Sequence, residues 1–268
     1  MENWRKSETL KRNRFSSVAS LLLCVLPAVA ADSVLAVDRG LPQSNLNNAS
    51  GSARSNVRWG GDNQGFIGDD FTIGAPGERW VIDSIRAWAV PGYAEVSAAR
   101  LSDFYQDVRL YLGASSSDVT PVATAQLADG TDEVSNPNIR ISEATGNGAL
   151  LYDDFGTQLR IWQIDFTNLN VPVRGGSKTR FGVWGMGRPI PGQDGKTHMW
   201  FNHGSNAALS GTRQDGADGV MLIFDGAGRA DGTLRAEVKD WDKPSDINVQ
   251  VFAHRAGAPA TGPVRSAQ

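Results

Sequence analysis

Residues 68–90 read GDDFTIGAPGERWVIDSIRAWAV, and this stretch decides the fold class. Asp69 and Asp70 lead into a short β-prone run, Phe71-Thr72-Ile73. Residues 74–78, rich in Gly and Pro, then turn the chain, and residues 80–90 return with Trp80, Val81, Ile82, Ile85, Trp88 and Val90. Aromatic and β-branched runs bounded by Gly and Pro are strand signals, and two of them about a short turn predict a β-hairpin.

The same pattern recurs on both sides of it. Val108, Leu110 and Leu112 alternate with polar or smaller positions and share one face of a strand. Further β-prone runs lie at 122–127, 139–142, 158–167, 179–184, 197–203, 220–225, 234–241 and 247–255. They are separated by turn dipeptides such as Asp129-Gly130, Gly175-Gly176, Asp194-Gly195, Asp225-Gly226 and Asp231-Gly232. Only residues 96–104 read as a short helix. About ten strands in one continuous body predict an all-β domain over residues 57–255, a two-sheet antiparallel β-sandwich of jelly-roll-like form.

Two stretches carry a family resemblance. The first is Asp69-Asp70-Phe71, the Gly/Pro turn, and the return through Trp80 and Ile82 to Ile85 and Trp88. The second runs Ile161-Trp162-Gln163-Ile164-Asp165-Phe166, a spacer over 167–173, Gly175-Gly176 and Phe181-Gly182-Val183-Trp184. Together they resemble the secreted bacterial β-sandwich domains attached to sorting signals of the PEP-CTERM type. The resemblance implies an exported β-sandwich whose second stretch forms two strands joined near a Gly turn. It implies no single activity, because architecture and not chemistry defines that family.

The ends of the chain read differently from its body. Arg5, Lys6, Lys11, Arg12 and Arg14 form a basic head, residues 18–29 are apolar, and Ala28-Val29-Ala30 is a small-x-small cleavage pattern. The apolar run is shorter than the roughly 20 residues a bilayer span requires. Residues 1–30 are therefore expected to be a signal peptide cut after Ala30, with Ala36 as a second cleavage candidate. The protein is then secreted or periplasmic, with no membrane span in the mature chain. Residues 31–56, rich in Ser, Asn, Gly and Ala, read as a disordered leader. Residues 256–268 read as a tail without a sorting helix, which predicts free secretion or retention by non-covalent contact.

Removing the first thirty residues takes away those five basic residues together with Glu2 and Glu8. It leaves 21 basic against 27 acidic residues. An acidic chain without a basic run excludes nucleic acid as a partner, since phosphate binding needs clustered Lys and Arg. Cys24, the only cysteine, falls in the removed segment, so disulfides, a Cys nucleophile and thiolate zinc sites are excluded from the mature chain.

The remaining side chains nominate three kinds of site. Tryptophan rings stack on the apolar faces of sugars. Trp80, Trp88, Trp162 and Trp184 sit in core-patterned strands. Trp59 and Trp200, the latter followed by Asn202 and His203, are the surface candidates for a polysaccharide or cell-surface glycan. Asp215, Asp218, Asp225 and Asp231, set among glycines, have the oxygen-rich loop composition of a structural calcium site. Asp69, Asp70, Asp153, Asp154, Asp165 and Glu237 supply carboxylates for a glycoside hydrolase or polysaccharide lyase, but no spacing selects two of them as catalytic. His198 and His203, five apart, fall on opposite faces of a strand and do not form a metal pair.

Overall fold

The structure, a computed structural model, describes residues 32–42, 57–91, 100–114, 116–144, 152–154, 157–205, 207, 218–235 and 246–257. The compact unit that holds all of them begins at Ala31. Its strands in chain order are β1 (Val34–Asp38), β2 (Val57–Gly61), β3 (Gly65–Thr72), β4 (Arg79–Pro91), β5 (Asp107–Ala114), β6 (Thr120–Gln126), β7 (Ile139–Glu143), β8 (Tyr152–Asp154) and β9 (Thr157–Leu159). They continue with β10 (Trp162–Phe166), β11 (Val171–Arg174), β12 (Lys178–Trp184), β13 (Trp200–Ser205), β14 (Val220–Asp225), β15 (Ala230–Arg235), β16 (Asp246–Ile247) and β17 (Val249–Arg255).

The fold is all-β and antiparallel, as the sequence predicts. Fifteen strands join in one hydrogen-bonded network with the main path β1-β17-β4-β13-β2-β3-β12-β5-β6, and β8 and β9 pair apart from it. Of the stretch 96–104 expected as a short helix, residues 101–103 form a single 3-10 turn, and residues 96–99 lie outside the described set.

The hairpin expected at residues 68–90 is not formed. β3 and β4 are consecutive but do not pair: β3 runs against β12 and β14, and β4 runs against β17, β10, β11 and β13. Residues 73–78 turn a corner between two ladders. Gly74 and Gly77 take positive φ, and the Glu78 carboxylate accepts from the Ala75 N–H at 3.0 Å and from the Trp80 indole at 2.9 Å. A second corner rests on the first, where the Gly175 N–H donates to Glu78 O and the Gly176 N–H to Ile73 O, each at 2.9 Å. The β4–β11 ladder ends at Arg79–Arg174, and the β3–β12 ladder resumes at Thr72–Lys178. One antiparallel strand pair thus bends twice in concert. A Cβ on Gly175 or Gly176 would collide with residues 75–78, so both positions require glycine.

The inward faces of these ladders form one core. Phe66 anchors it, its ring 4.5 Å from Tyr111, 5.2 Å from Phe224 and 5.5 Å from Trp184. Gly182 leaves the space that Phe66 fills. Trp88, Trp162 and Trp184 are buried and Trp80 is half-buried against the core, as their strand positions predict. Burying one such ring contributes on the order of 1.5–3 kcal/mol, as does each of the Val, Ile and Leu side chains packed around it.

Residues 31–56 are not uniformly a leader. Val34–Asp38 is a strand on the edge of the network, paired with β17. Val37 is fully buried, and the chain just beyond the strand carries the most consequential polar group in the fold.

Candidate functional site

That group is Arg39. Asp38 accepts from the Gly40 N–H at 3.0 Å to close a turn, and Gly40 takes a φ of 92°. The Arg39 N–H donates to Val249 O at 3.1 Å, and the Ser205 hydroxyl donates to Arg39 O at 2.8 Å. The backbone is pinned on both sides, and the side chain is driven inward. Its Nη1 donates to Asp69 Oδ2 at 2.8 Å and to Ile247 O at 2.9 Å, and its Nη2 donates to Asp70 O. Asp69 also accepts from the N–H groups of Ile247 and Asp70, each at 2.7 Å.

A second carboxyl closes the cluster from β16. Asp246 is fully buried and accepts from the N–H groups of Gly219 at 3.0 Å and Asp218 at 3.4 Å. At its outer margin Lys178 bridges Asp70 at 3.1 Å and Asp218 at 2.9 Å. A buried clasp therefore ties together β1, β3, β12 and β16 and the start of β14, which lie far apart in sequence.

Burial dominates the electrostatics. It pushes the Asp69 carboxyl up to about 8; Arg39 opposes this, and the neighbouring Asp246 adds to it. Burial likewise raises Asp246 and, despite Lys178, Asp70. Burial also works against the Arg39 charge, but Asp69, Asp246 and Asp70 outweigh it and hold the guanidinium firmly protonated. Two carboxyls surround one sealed guanidinium, and the second negative charge lacks a matching cation. Burial first, and the neighbouring Asp246 with it, therefore favour the protonated form of the Asp69 carboxyl around neutrality.

The expected ligand platform is corrected by the position of Trp200. Its ring is fully buried, 4.6 Å from Tyr105, with the indole N–H donating to Asn202 Oδ1 at 2.9 Å. Gly60 and Gly185 open the slot it occupies, since a Cβ on either would strike the indole. Asn202 is buried and donates to Ile67 O at 3.3 Å, and His203 is fully buried 3.3 Å from the Asn248 amide. The three residues brace the interior of β13. Trp59 lies on the neighbouring strand, paired with Phe201, and its side chain falls outside the described residues. His198 packs edge-on against Phe104 at 5.2 Å.

Of the four metal candidates, Asp218, Asp225 and Asp231 are described, and the described residues contain no group of three His, Cys, Asp or Glu poised for an ion. Asp218 pairs with Lys178. Asp225 accepts from the N–H groups of Ala227 and Arg229, each at 2.9 Å, and from the Arg229 side chain at 2.7 Å. Asp231 is exposed, and Asp215 lies outside the described residues. Of the carboxylates considered for catalysis, Asp165 accepts from Arg86 at 2.6 Å on an outer face. Glu237 and the side chains of Asp153 and Asp154 lie outside the described residues.

A raised carboxyl is what a general acid requires, but an acid must also reach its substrate. The Arg39 and Asp69 side chains are 0% and 1% exposed, so the raised Asp69 carboxyl is sealed from solvent, while Lys178 at the margin is 42% exposed. The chemistry of the clasp is that of a fastening. Sequence reasoning missed Arg39 because it follows a Ser- and Ala-flanked stretch that resembles a leader. The usable signal was the apolar Val34-Leu35-Ala36-Val37 run immediately before it. No protein-family model, curated protein or solved structure matches this chain.

Proposed function

We propose that this chain is a secreted, non-catalytic β-sandwich with a binding or structural role at the cell surface or in the extracellular matrix, and that its ligand is a polysaccharide or cell-surface glycan. The buried clasp supports the non-catalytic part of this reading. The acids most open to a catalytic interpretation, Asp69 and Asp70, are committed to Arg39, Lys178 and backbone amides that fasten the chain's beginning to its end. The N-terminal export pattern and the likeness to PEP-CTERM-type domains support the location. Trp88, Trp162, Trp184 and Trp200 are spent on the core, so the reading assigns glycan stacking to Trp59 and to the loops.

Titration of the exported chain and of its Trp59→Ala variant against a panel of polysaccharides tests the ligand. Binding by the parent that weakens at least tenfold in the variant is the expected result, and uniform absence of binding removes the glycan. Turnover of any glycan that disappears in Asp69→Asn or Asp165→Asn would replace this reading with that of a hydrolase or lyase.

A further inference from the structure

Two indole N–H groups in the core lack acceptors. Among the described residues those of Trp80, Trp184 and Trp200 donate to Glu78, Asp62 O and Asn202. Those of Trp88 and Trp162 are buried with no partner. Trp162 differs from Trp88 in lining a cavity, which lies between β10, Ile141 of β7, the 3-10 turn and residues 127–134. Its ring is 6% exposed and packs as core, yet its donor is unused. A buried donor without an acceptor is unfavourable, so the missing acceptor is what an occupant of the cavity would supply.

The cavity is braced before anything enters it. The Ser102 hydroxyl donates to Thr131 O at 2.6 Å, Arg188 Nη2 donates to Leu127 O at 2.9 Å, and Leu127 bridges to Val134. Its enclosed space, about 20 Å³, takes one small substituent and not a sugar ring. Leu101, Leu127, Val134 and Ile141 make its walls apolar. Two lining carboxylates are exposed: Asp132, with Arg100 Nε 3.3 Å from one oxygen, and Glu133.

We propose that this cavity binds the acetamido group of an N-acetylated sugar. The methyl group packs among the four apolar side chains, the carbonyl oxygen accepts from Trp162 Nε1, and the amide N–H donates to the Asp132 or Glu133 carboxylate. The sugar ring stays outside. A bare hydroxyl would offer an acceptor but leave the apolar walls unfilled, and a protonated amine would bring a donor where an acceptor is needed. The inference rests on the glycan reading above and names the class of sugar, at a site whose lining does not include Trp59.

NMR titration of the ¹⁵N-labelled exported chain with N-acetylglucosamine oligomers, and with glucose and glucosamine oligomers of equal length, tests it. The Trp162 indole N–H signal should shift saturably with the acetylated oligomer, and the other two should bind about tenfold more weakly or less. Trp162→Phe keeps a ring but loses the donor, and should weaken binding of the acetylated oligomer about tenfold. Should that variant not fold, Ile141→Phe, which fills the cavity and keeps the donor, should abolish the shift. A Trp162 signal that stays still with the acetylated oligomer, or moves equally with all three, overturns the proposal and leaves a cavity that holds water only. A still Trp162 signal beside glycan binding that Trp59→Ala weakens overturns this inference alone, whereas absence of all glycan binding removes both readings.

Discussion

Asp69 and Asp225 have nearly the same set of partners and opposite electrostatics. Each accepts two backbone N–H groups and one arginine. The Asp225 carboxyl, in an exposed turn, is held below the ordinary range by the Arg229 amide and then by its other partners. The Asp69 carboxyl is raised because burial and the nearby Asp246 outweigh the same kinds of bond. Hydrogen bonds alone therefore do not set the charge state; the loss of water decides it.

The largest test of that contrast is removal of each arginine. Arg39→Met leaves buried acids without their cation and should lower unfolding free energy by about 3–5 kcal/mol, measured by urea denaturation. Arg229→Met, in the exposed turn, should leave the midpoint unchanged. Equal effects would break the comparison.

A second test is pH. The folded clasp holds a proton that the unfolded chain, with an ordinary carboxyl near 3.8, releases. Between about pH 4 and about pH 8 the native state binds more protons, so stability should fall as pH rises and level off above the folded value. Asp246→Asn removes the smaller of the two influences that raise Asp69 and should lessen that slope without abolishing it. A parent whose urea midpoint climbs across the same interval would contradict the assignment.

A third test separates Arg39 from the strand that precedes it. Deleting residues 31–36 removes part of the β1 ladder but keeps the guanidinium, and should cost about 1–3 kcal/mol, less than Arg39→Met. Cleavage after Ala36 would make the same truncation, so N-terminal sequencing of exported protein should return Ala31. The smallest effect concerns calcium. The Asp218 and Asp225 oxygens already hold Lys178, Arg229 and backbone amides, so chelation should leave the melting temperature unchanged. A drop on chelation would show that these oxygens exchange their present partners for an ion.

Strands were legible in the sequence where alternation was local. Residues 220–225 match β14 at both ends, and Val108, Leu110 and Leu112 are buried as their spacing requires. Pairing was less legible, because a Gly/Pro turn between two β runs looks the same whether the runs pair or part at a corner. The corner at 73–78 depends on Gly175 and Gly176, a hundred positions away. The interior of β13 was misread for a related reason. Trp200 next to polar residues reads as exposed, and only the distant Gly60 and Gly185 reveal the slot made for it. Asp69 and Asp70 were visible as acids, but their partner Arg39 lay in a stretch whose composition hid a strand.

The stacked corners also bear on how the chain reaches this state. Neither bend can be locked until residues near 75 and near 175 meet, so closure of a long loop precedes the reward. Refolding should accordingly proceed on the millisecond-to-second scale of non-local β topologies, with the crease between the two ladders among the last features to set.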